Sequence, residues 1–324
     1  MQEPSLIAVE IGGTKLQVCL GRPDGGIVET RRGSVDPQHG APRILEWIER
    51  ETKSLLDATG ARPKAIGVGF GGPVESATGT VLVSHQVAGW EGFALRPWFE
   101  ERFGLRTIVA NDANAAGWAE YCAGAGRGTR QFCYMNIGSG IGGALIVDGR
   151  LHDGQGRGAN EIGHTYVPDW TNATPGAADK LEHLCSGWSI EKRLRARRDY
   201  RPAGPLMRLC NNDASTITCA MLAEAARLGD PDALAELDRV AGAVGIALSN
   251  VITLFHPERI AMGGGVSLMG DVLLNPVRAH TAKRVFGPFR GRYEIVPCAL
   301  AESVVLAGAL LLAGAHECPE SQAR

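Results

Sequence analysis

No CxxC pair occurs among the eight cysteines, which stand at 19, 122, 133, 185, 210, 219, 298 and 318. Cys19 in LQVCL and Cys133 in FCYMNI lie inside apolar stretches. That pattern suits buried free thiols in a reducing compartment better than a disulfide frame. The opening MQEPSLIAVE has neither a basic start nor a long apolar run, so no secretory signal is expected. The most apolar stretch, Val304 to Ala315, is shorter than the roughly 20 helical residues that cross a bilayer. It reads as a buried helix, and the cytoplasm is the expected compartment, with no membrane partner. Charge of one sign is also missing: 33 basic and 35 acidic residues give a formal charge of -2. Nothing in that balance asks for nucleic acid. No linker rich in proline or serine divides the 324 residues, although the length calls for two domains.

What is present is an alternation of strands and helices, which makes the class α/β. Apolar runs predict strands at Leu6–Glu10, Leu16–Leu20, Gly26–Arg31, Ala65–Phe70, Arg106–Ala110, Phe132–Ile137, Ala144–Asp148, Arg259–Met262 and Tyr293–Val296. Helices are predicted over 42–59, with Pro42 at the first position, and from Asp112 through Tyr121. Others are expected over 189–199, 214–228, 231–254 and about 270–285, followed by the final one. Both halves open with strand, glycine turn, strand and an Asp-Gly turn (Asp24-Gly25 and Asp148-Gly149), a weak internal repeat. The domain boundary is expected at a hinge near 110–113, giving 1–111, 112–300 and a last helix over about 301–324 packing back on the first domain, with a cleft between the domains.

Three glycine clusters stand at predicted strand ends: Gly12-Gly13, Gly138 to Gly143, and Gly263 to Gly265. Each reads as a strand-end turn or as a backbone cradle for phosphate, and three together favour one nucleotide. Neither GxGxxG nor the P-loop pattern fits, because IGGTK is followed by a strand rather than a helix. Asn111-Asp112 closes a strand and opens a helix, as a cap would. The same place suits an ionised general base, since a helix N-terminus stabilises a carboxylate and phosphoryl transfer needs only a weak base. For Glu161 and His164, three apart in ANEIGH, spacing alone favours a surface turn over a polyol site. The run KRLRARRDYR at 192–201 carries six Lys or Arg; it reads as a solvated helix face, with a polyphosphate contact as the alternative.

Taken in order, these segments resemble the ROK family of repressors, open reading frames and sugar kinases, above all its bacterial glucokinase-like members. The resemblance runs from Ile7 to about Ala315. It rests on Glu10-Ile11-Gly12-Gly13-Thr14-Lys15, GFGGPVE at 69–75, and AGWEGFALRPWFEERFGLRTIVANDANAA at 88–116. It continues through IGSGIGGALIVDGRL at 137–151, NEIGH at 160–164, LEHLCSGWSIEKR at 181–193 and MGGGVS at 262–267. The resemblance implies a two-domain actin-like ATPase (ribonuclease H-like) fold and transfer of the ATP γ-phosphate, with Mg²⁺, to the 6-hydroxyl of a hexose. Glucose is the first expectation; an N-acyl hexosamine, fructose or an amino sugar, or a non-catalytic regulatory role, are the alternatives. It further implies Asp112 as base, and Asn111, Glu161, His164 and Glu182 on sugar hydroxyls with the Gly72 loop nearby. Gly12, Gly13, Thr14, Lys15, Gly138, Ser139 and Gly140 would face phosphates, and Gly264 and Gly265 the nucleoside. A homodimer is expected.

Three departures stand out. Glu10 replaces the family's motif aspartate, thought to help place Mg²⁺; it is one methylene longer but still an oxygen ligand, directly or through water. Residues 165–181 contain no cysteine, so the zinc cluster of many members is expected to be missing, leaving His164 to the sugar or to packing. Asn160 replaces the usual glycine before Glu161.

Overall fold

In the computed structural model, residues 6–84, 86–201, 204–300 and 302–315 are described; Cys318 and the segment 316–324 lie outside them. The strands are β1 (Leu6–Ile11), β2 (Lys15–Gly21), β3 (Ile27–Ser34), β4 (Ala65–Phe70), β5 (Val74–Glu75), β6 (Thr80–Val81) and β7 (Arg106–Asn111). They continue with β8 (Phe132–Ile137), β9 (Ile141–Val147), β10 (Arg150–Leu151), β11 (Tyr166–Pro168), β12 (Ala178–Lys180), β13 (Arg259–Gly263) and β14 (Glu294–Pro297). The helices are α1 (Gly40–Thr59), α2 (Leu95–Phe103), α3 (Asp112–Ala123), α4 (Leu181–Cys185) and α5 (Gly187–Ala196). After them come α6 (Pro205–Leu209), α7 (Cys219–Arg227), α8 (Pro231–Phe255), α9 (Asp271–Ala282) and α10 (Val304–Ala315).

Contacts divide the chain into two units: 1–128 with 144–159 and 299–324, and 129–143 with 160–298. The division after Gly128, rather than at 111, has a physical cause. Helix α3 packs on α10 and β4, so it belongs with the first unit.

The repeat read from the glycine turns reappears in the topology. One sheet runs β3-β2-β1-β4-β7 and the other β10-β9-β8-β13-β14. In each, a hairpin meander is followed by two strands added in parallel. The Asp148-Gly149 turn has φ of 51° and 78°, the left-handed pair that a tight hairpin requires.

Strand β1 is buried along its whole length, because both of its faces are covered. Ile7, Val9 and Ile11 join Ile44, Ile48 and Leu55 of α1 in one cluster. Leu6 and Ala8 join Leu306, Ala309, Leu310 and Ala313 of α10 in another. The period-two alternation of a strand thus sends neighbouring residues into different cores. Helix α10 approaches its neighbours closely because glycine stands at the contacts. A Cβ on Gly308 would lie 1.8 Å from the Ala115 carbonyl oxygen, and one on Gly67 would lie 2.0 Å from that of Ala309.

In the second unit, α8 is the one helix among the described residues long and apolar enough to cross a membrane. Here Leu237, Val240, Val244, Leu248 and Ile252 are buried, as in a core helix packed on α9 and α4.

Several expected bounds shift for local reasons. Helix α1 begins at Gly40, placing Pro42 third, after a 3-10 turn capped by Asp36 through Gln38 N at 3.0 Å. The helix expected over 214–228 breaks at Thr218, whose hydroxyl caps α7 by accepting from Met221 N at 3.2 Å. The described cysteines, Cys19 and Cys133 among them, are not joined in disulfides, and burial pushes these two thiols up to about 12.

Glu120, on α3, is fully buried. Its carboxylate accepts from Ala125 N at 2.8 Å, Ala299 N at 3.1 Å and Leu300 N at 2.7 Å, and so ties α3 to the chain leading into α10. Glu120→Ala strands these donors and is expected to cost about 3 kcal/mol. That corresponds to a fall in Tm of roughly 6–12 °C by calorimetry for a unit of this size.

Candidate active site

The first unit carries one set of candidate residues. The β1–β2 hairpin turns over Gly12-Gly13-Thr14, closed by Gly12 N donating to Lys15 O at 2.9 Å. Lys15 Nζ donates to the Glu302 carbonyl at 3.0 Å and lies 3.7 Å from Glu10 Oε2. Glu10 is 8% exposed and accepts from Gln17 Nε2 at 2.6 Å. Gln17 sits opposite it in the hairpin register, and its own Oε1 accepts from Arg32 Nε at 3.2 Å.

Strand β4 ends at Gly71-Gly72, anchored by Gly71 N donating to Ile11 O at 2.8 Å. Asn111 caps α3, its Oδ1 accepting from Ala113 N at 2.9 Å and Asn114 N at 3.2 Å. Its Nδ2 donates to the Gly72 carbonyl at 3.0 Å, so one side chain sets both the helix start and the glycine loop. Asp112 follows, with Oδ1 accepting from Ala113 N at 2.7 Å. A Cβ added to Gly71 would lie 3.4 Å from Asp112 Oδ2 and 3.3 Å from Gly12 Cα. The carboxylate therefore stands beside the glycine turn of β1–β2. The first unit thus brings Glu10, Gly12, Gly13, Thr14, Lys15, Gly72, Asn111 and Asp112 to one end of its sheet.

The second unit carries the other set. Gly138-Ser139-Gly140 forms the β8–β9 turn, with Gly138 N donating to Gly140 O at 2.8 Å. Glu182, in the first turn of α4, accepts from Ile141 N at 2.7 Å through Oε2. The start of α5 closes on the same turn, Gly187 N donating to Gly138 O at 2.7 Å. Gly264, at φ 82°, lies against Ile137 O, to which Val266 N donates at 2.9 Å. Gly265 follows it in the same turn.

A 3-10 turn, Ile162–His164, has Glu161 at its N-cap position and His164 at its end. It is seated on β9, because a Cβ on Gly163 would lie only 2.2 Å from the Ile141 carbonyl oxygen. Asn160 has φ 65°. Asparagine tolerates this left-handed conformation, which most other side chains avoid. The second unit thus brings Gly138, Ser139, Gly140, Glu161, His164, Glu182, Gly264 and Gly265 together. Sequence reasoning missed Gln17, Gly163 and Lys180, whose Nζ lies 3.1 Å from His164 Nδ1.

Burial, the largest cause, raises the Glu10 pKa, against the opposing pull of Lys15 and Gln17. The folded chain therefore holds a proton there more tightly than the unfolded chain. Stability is lost as pH rises from the ordinary carboxylate range through the raised value. Glu10→Gln removes that loss and keeps an oxygen for Gln17. By scanning fluorimetry without nucleotide, the variant is expected to melt at or above wild type at pH 8 and to approach it near pH 4. A lower melting point at pH 8 would contradict the buried-charge account.

Two glycine turns at strand ends, an acidic residue at a helix start and two five-stranded sheets of matching strand order define a protein of the actin-like ATPase class. The chain belongs to the ROK family, whose sequence model matches residues 6–316. It is 30% identical over 310 residues to the glucokinase of Thermotoga maritima, covering 95% of this chain and 97% of that one. It is 31% identical over 313 residues to the glucokinase of Streptomyces coelicolor, covering 95% and 96%. Among solved structures, the ROK glucokinase of Streptomyces griseus in complex with glucose and AMPPNP matches with a TM-score of 0.80 and 30% identity, over 95% and 98% of the two chains.

Proposed function

We propose that the protein is an ATP-dependent glucokinase that transfers the γ-phosphoryl group to the 6-hydroxyl of glucose. The observation that carries this reading is the full-length likeness to a glucokinase bound to glucose and an ATP analogue. The ordered site residues of both units agree with it. Asp112 accepts the hydroxyl proton as the oxygen attacks phosphorus. Asn111, Glu161, His164 and Glu182 hold the sugar hydroxyls, with the Gly72 loop beside them. Gly12 to Lys15 and Gly138 to Gly140 face the phosphates, and Gly264 and Gly265 border the nucleoside.

Mg²⁺ fits the Glu10 side of this arrangement. One carboxylate oxygen is already held by Gln17, which suits a largely hydrated ion that needs only one or two protein carboxylates. When bound, the ion neutralises charge on the transferring phosphates.

The basic run at 192–201 left a polyphosphate donor as the alternative to a solvated helix face, and three of its arginines are engaged locally. Arg193 pairs with Glu236, Arg195 with Glu191, and Arg197 with Asp199 and Asp232. ATP is therefore the donor in this reading. The protein acts in the cytoplasm as a homodimer, without nucleic-acid or membrane partners. Light scattering on the eluting protein tests the dimer.

A coupled ADP-release assay with Mg-ATP across glucose, mannose, fructose, amino sugars and N-acyl hexosamines tests the activity. Glucose is expected to give the strongest response. Silence across the panel from folded protein would overturn the kinase reading and leave a binding role.

A further inference from the structure

His164 ends a short 3-10 turn with its ring exposed, and an exposed imidazole has no fixed orientation or tautomer of its own. Its surroundings supply both. Lys180 Nζ stands 3.1 Å from His164 Nδ1. An ammonium has three donors and no acceptor, so Nδ1 must accept, and the ring proton of the neutral imidazole then sits on Nε2.

The lysine is itself held. It ends β12, paired with Tyr166 across the β11–β12 hairpin. The next residue, Leu181, donates its N–H to Thr165 O at 2.8 Å, so the chain on either side of the contact is closed by backbone bonds. The Lys180 N–H donates to Asp179 Oδ1 at 2.7 Å, and the same oxygen meets His183 Nδ1 at 2.9 Å. The Asp179 carboxyl is held below its ordinary pKa, first by that backbone bond and further by His183 and Lys180. Glu182, two residues after Lys180, is fixed to Ile141 N. One short segment therefore orders both the carboxylate at 182 and the imidazole at 164. Among the described residues, no cluster of His, Cys, Asp and Glu is arranged to hold a metal ion that would do this instead.

We propose that Lys180 is a positioning residue for sugar binding. Its ammonium fixes the His164 ring as the Nε2–H tautomer, so that Nε2 donates to a sugar hydroxyl oxygen. The inference rests on the reading of His164 as a sugar contact, and the test separates the two.

Long-range proton–nitrogen NMR on histidine-labelled protein, with the His164 signals assigned by His164→Gln, is expected to show Nε2 protonated and Nδ1 bare. In Lys180→Met the His164 signals are expected to move towards mixed tautomers. KM for glucose should rise about tenfold, the worth of one misdirected hydrogen bond, while kcat changes less than about twofold. Lys180→Arg, which keeps a cationic donor, should restore both readouts. Protonated Nδ1 in the wild-type protein overturns the proposal, and that reading needs no variant to fold. A Lys180→Met protein with unchanged tautomer overturns it as well, and so does one whose tautomer changes without any change in KM. Wild-type KM in His164→Gln instead removes His164 from the sugar, whatever the NMR shows of the clamp.

Discussion

Asp112→Asn is expected to lower turnover about 10³-fold, within the usual range for loss of a general base, and to leave binding intact. The substitution is isosteric. The side-chain oxygen that accepts from Ala113 N at 2.7 Å is retained, so the start of α3 and the Asn111 cap keep their geometry. What is lost is the oxygen that can accept a proton. Calorimetric titration with glucose and with AMPPNP should therefore give near wild-type affinities while ADP release collapses. A variant turning over at the wild-type rate would remove Asp112 from the base role. A variant that loses sugar affinity in proportion to rate would make Asp112 a binding residue instead.

Gly163→Ala is expected to displace the candidate residues of the second unit through geometry alone. The added carbon would lie 2.2 Å from the Ile141 carbonyl oxygen and 3.0 Å from its Cβ, distances that require backbone to move. Both partners are buried, and the Ile141 N–H is bonded to Glu182. The 3-10 turn must lift off β9, carrying Glu161 and His164 with it. Overpacking of this kind costs about 1–3 kcal/mol of stability. Displacing positioning groups by about 1 Å costs roughly 10²-fold in kcat/KM. Steady-state kinetics with a parallel melting curve separate the two effects. An alanine variant with wild-type kcat/KM would show that the turn need not sit on the strand.

Much of the fold was legible because fully buried strands announce themselves. Ala65–Phe70 and Phe132–Ile137 match their expected bounds, being continuous apolar runs closed by glycine or charge. Helix α2 was not anticipated: it holds only Leu95 and Phe99 in the core, and Pro97 interrupts its pattern. The β11–β12 hairpin is three residues a side with one buried position, Val167, too short for alternation to register. At the site, residue types and order were readable, but their supports were not. Glu10 opposite Gln17 follows from hairpin register and was within reach of the sequence. The meeting of His164 and Lys180, sixteen residues apart, depends on how an irregular loop closes, and no periodicity encodes it. The contact units divide after Gly128 because α3, which opens at Asp112, packs within the first unit. Its packing partners, β4 and α10, lie far away in sequence.

The buried seam between β1 and α10 also bears on how the protein is made. Leu6 and Ala8 are synthesised long before Leu306, Ala309, Leu310 and Ala313, which complete one face of their sheet. At a synthesis rate of about 5–20 residues per second, that apolar face waits tens of seconds for its cover. The unit begun first is thus the one finished last, and the second unit, 129–143 with 160–298, has all its residues before the first can close. A nascent chain halted before Val304 would leave Leu6 and Ala8 without the side chains of α10 that cover them in the folded unit.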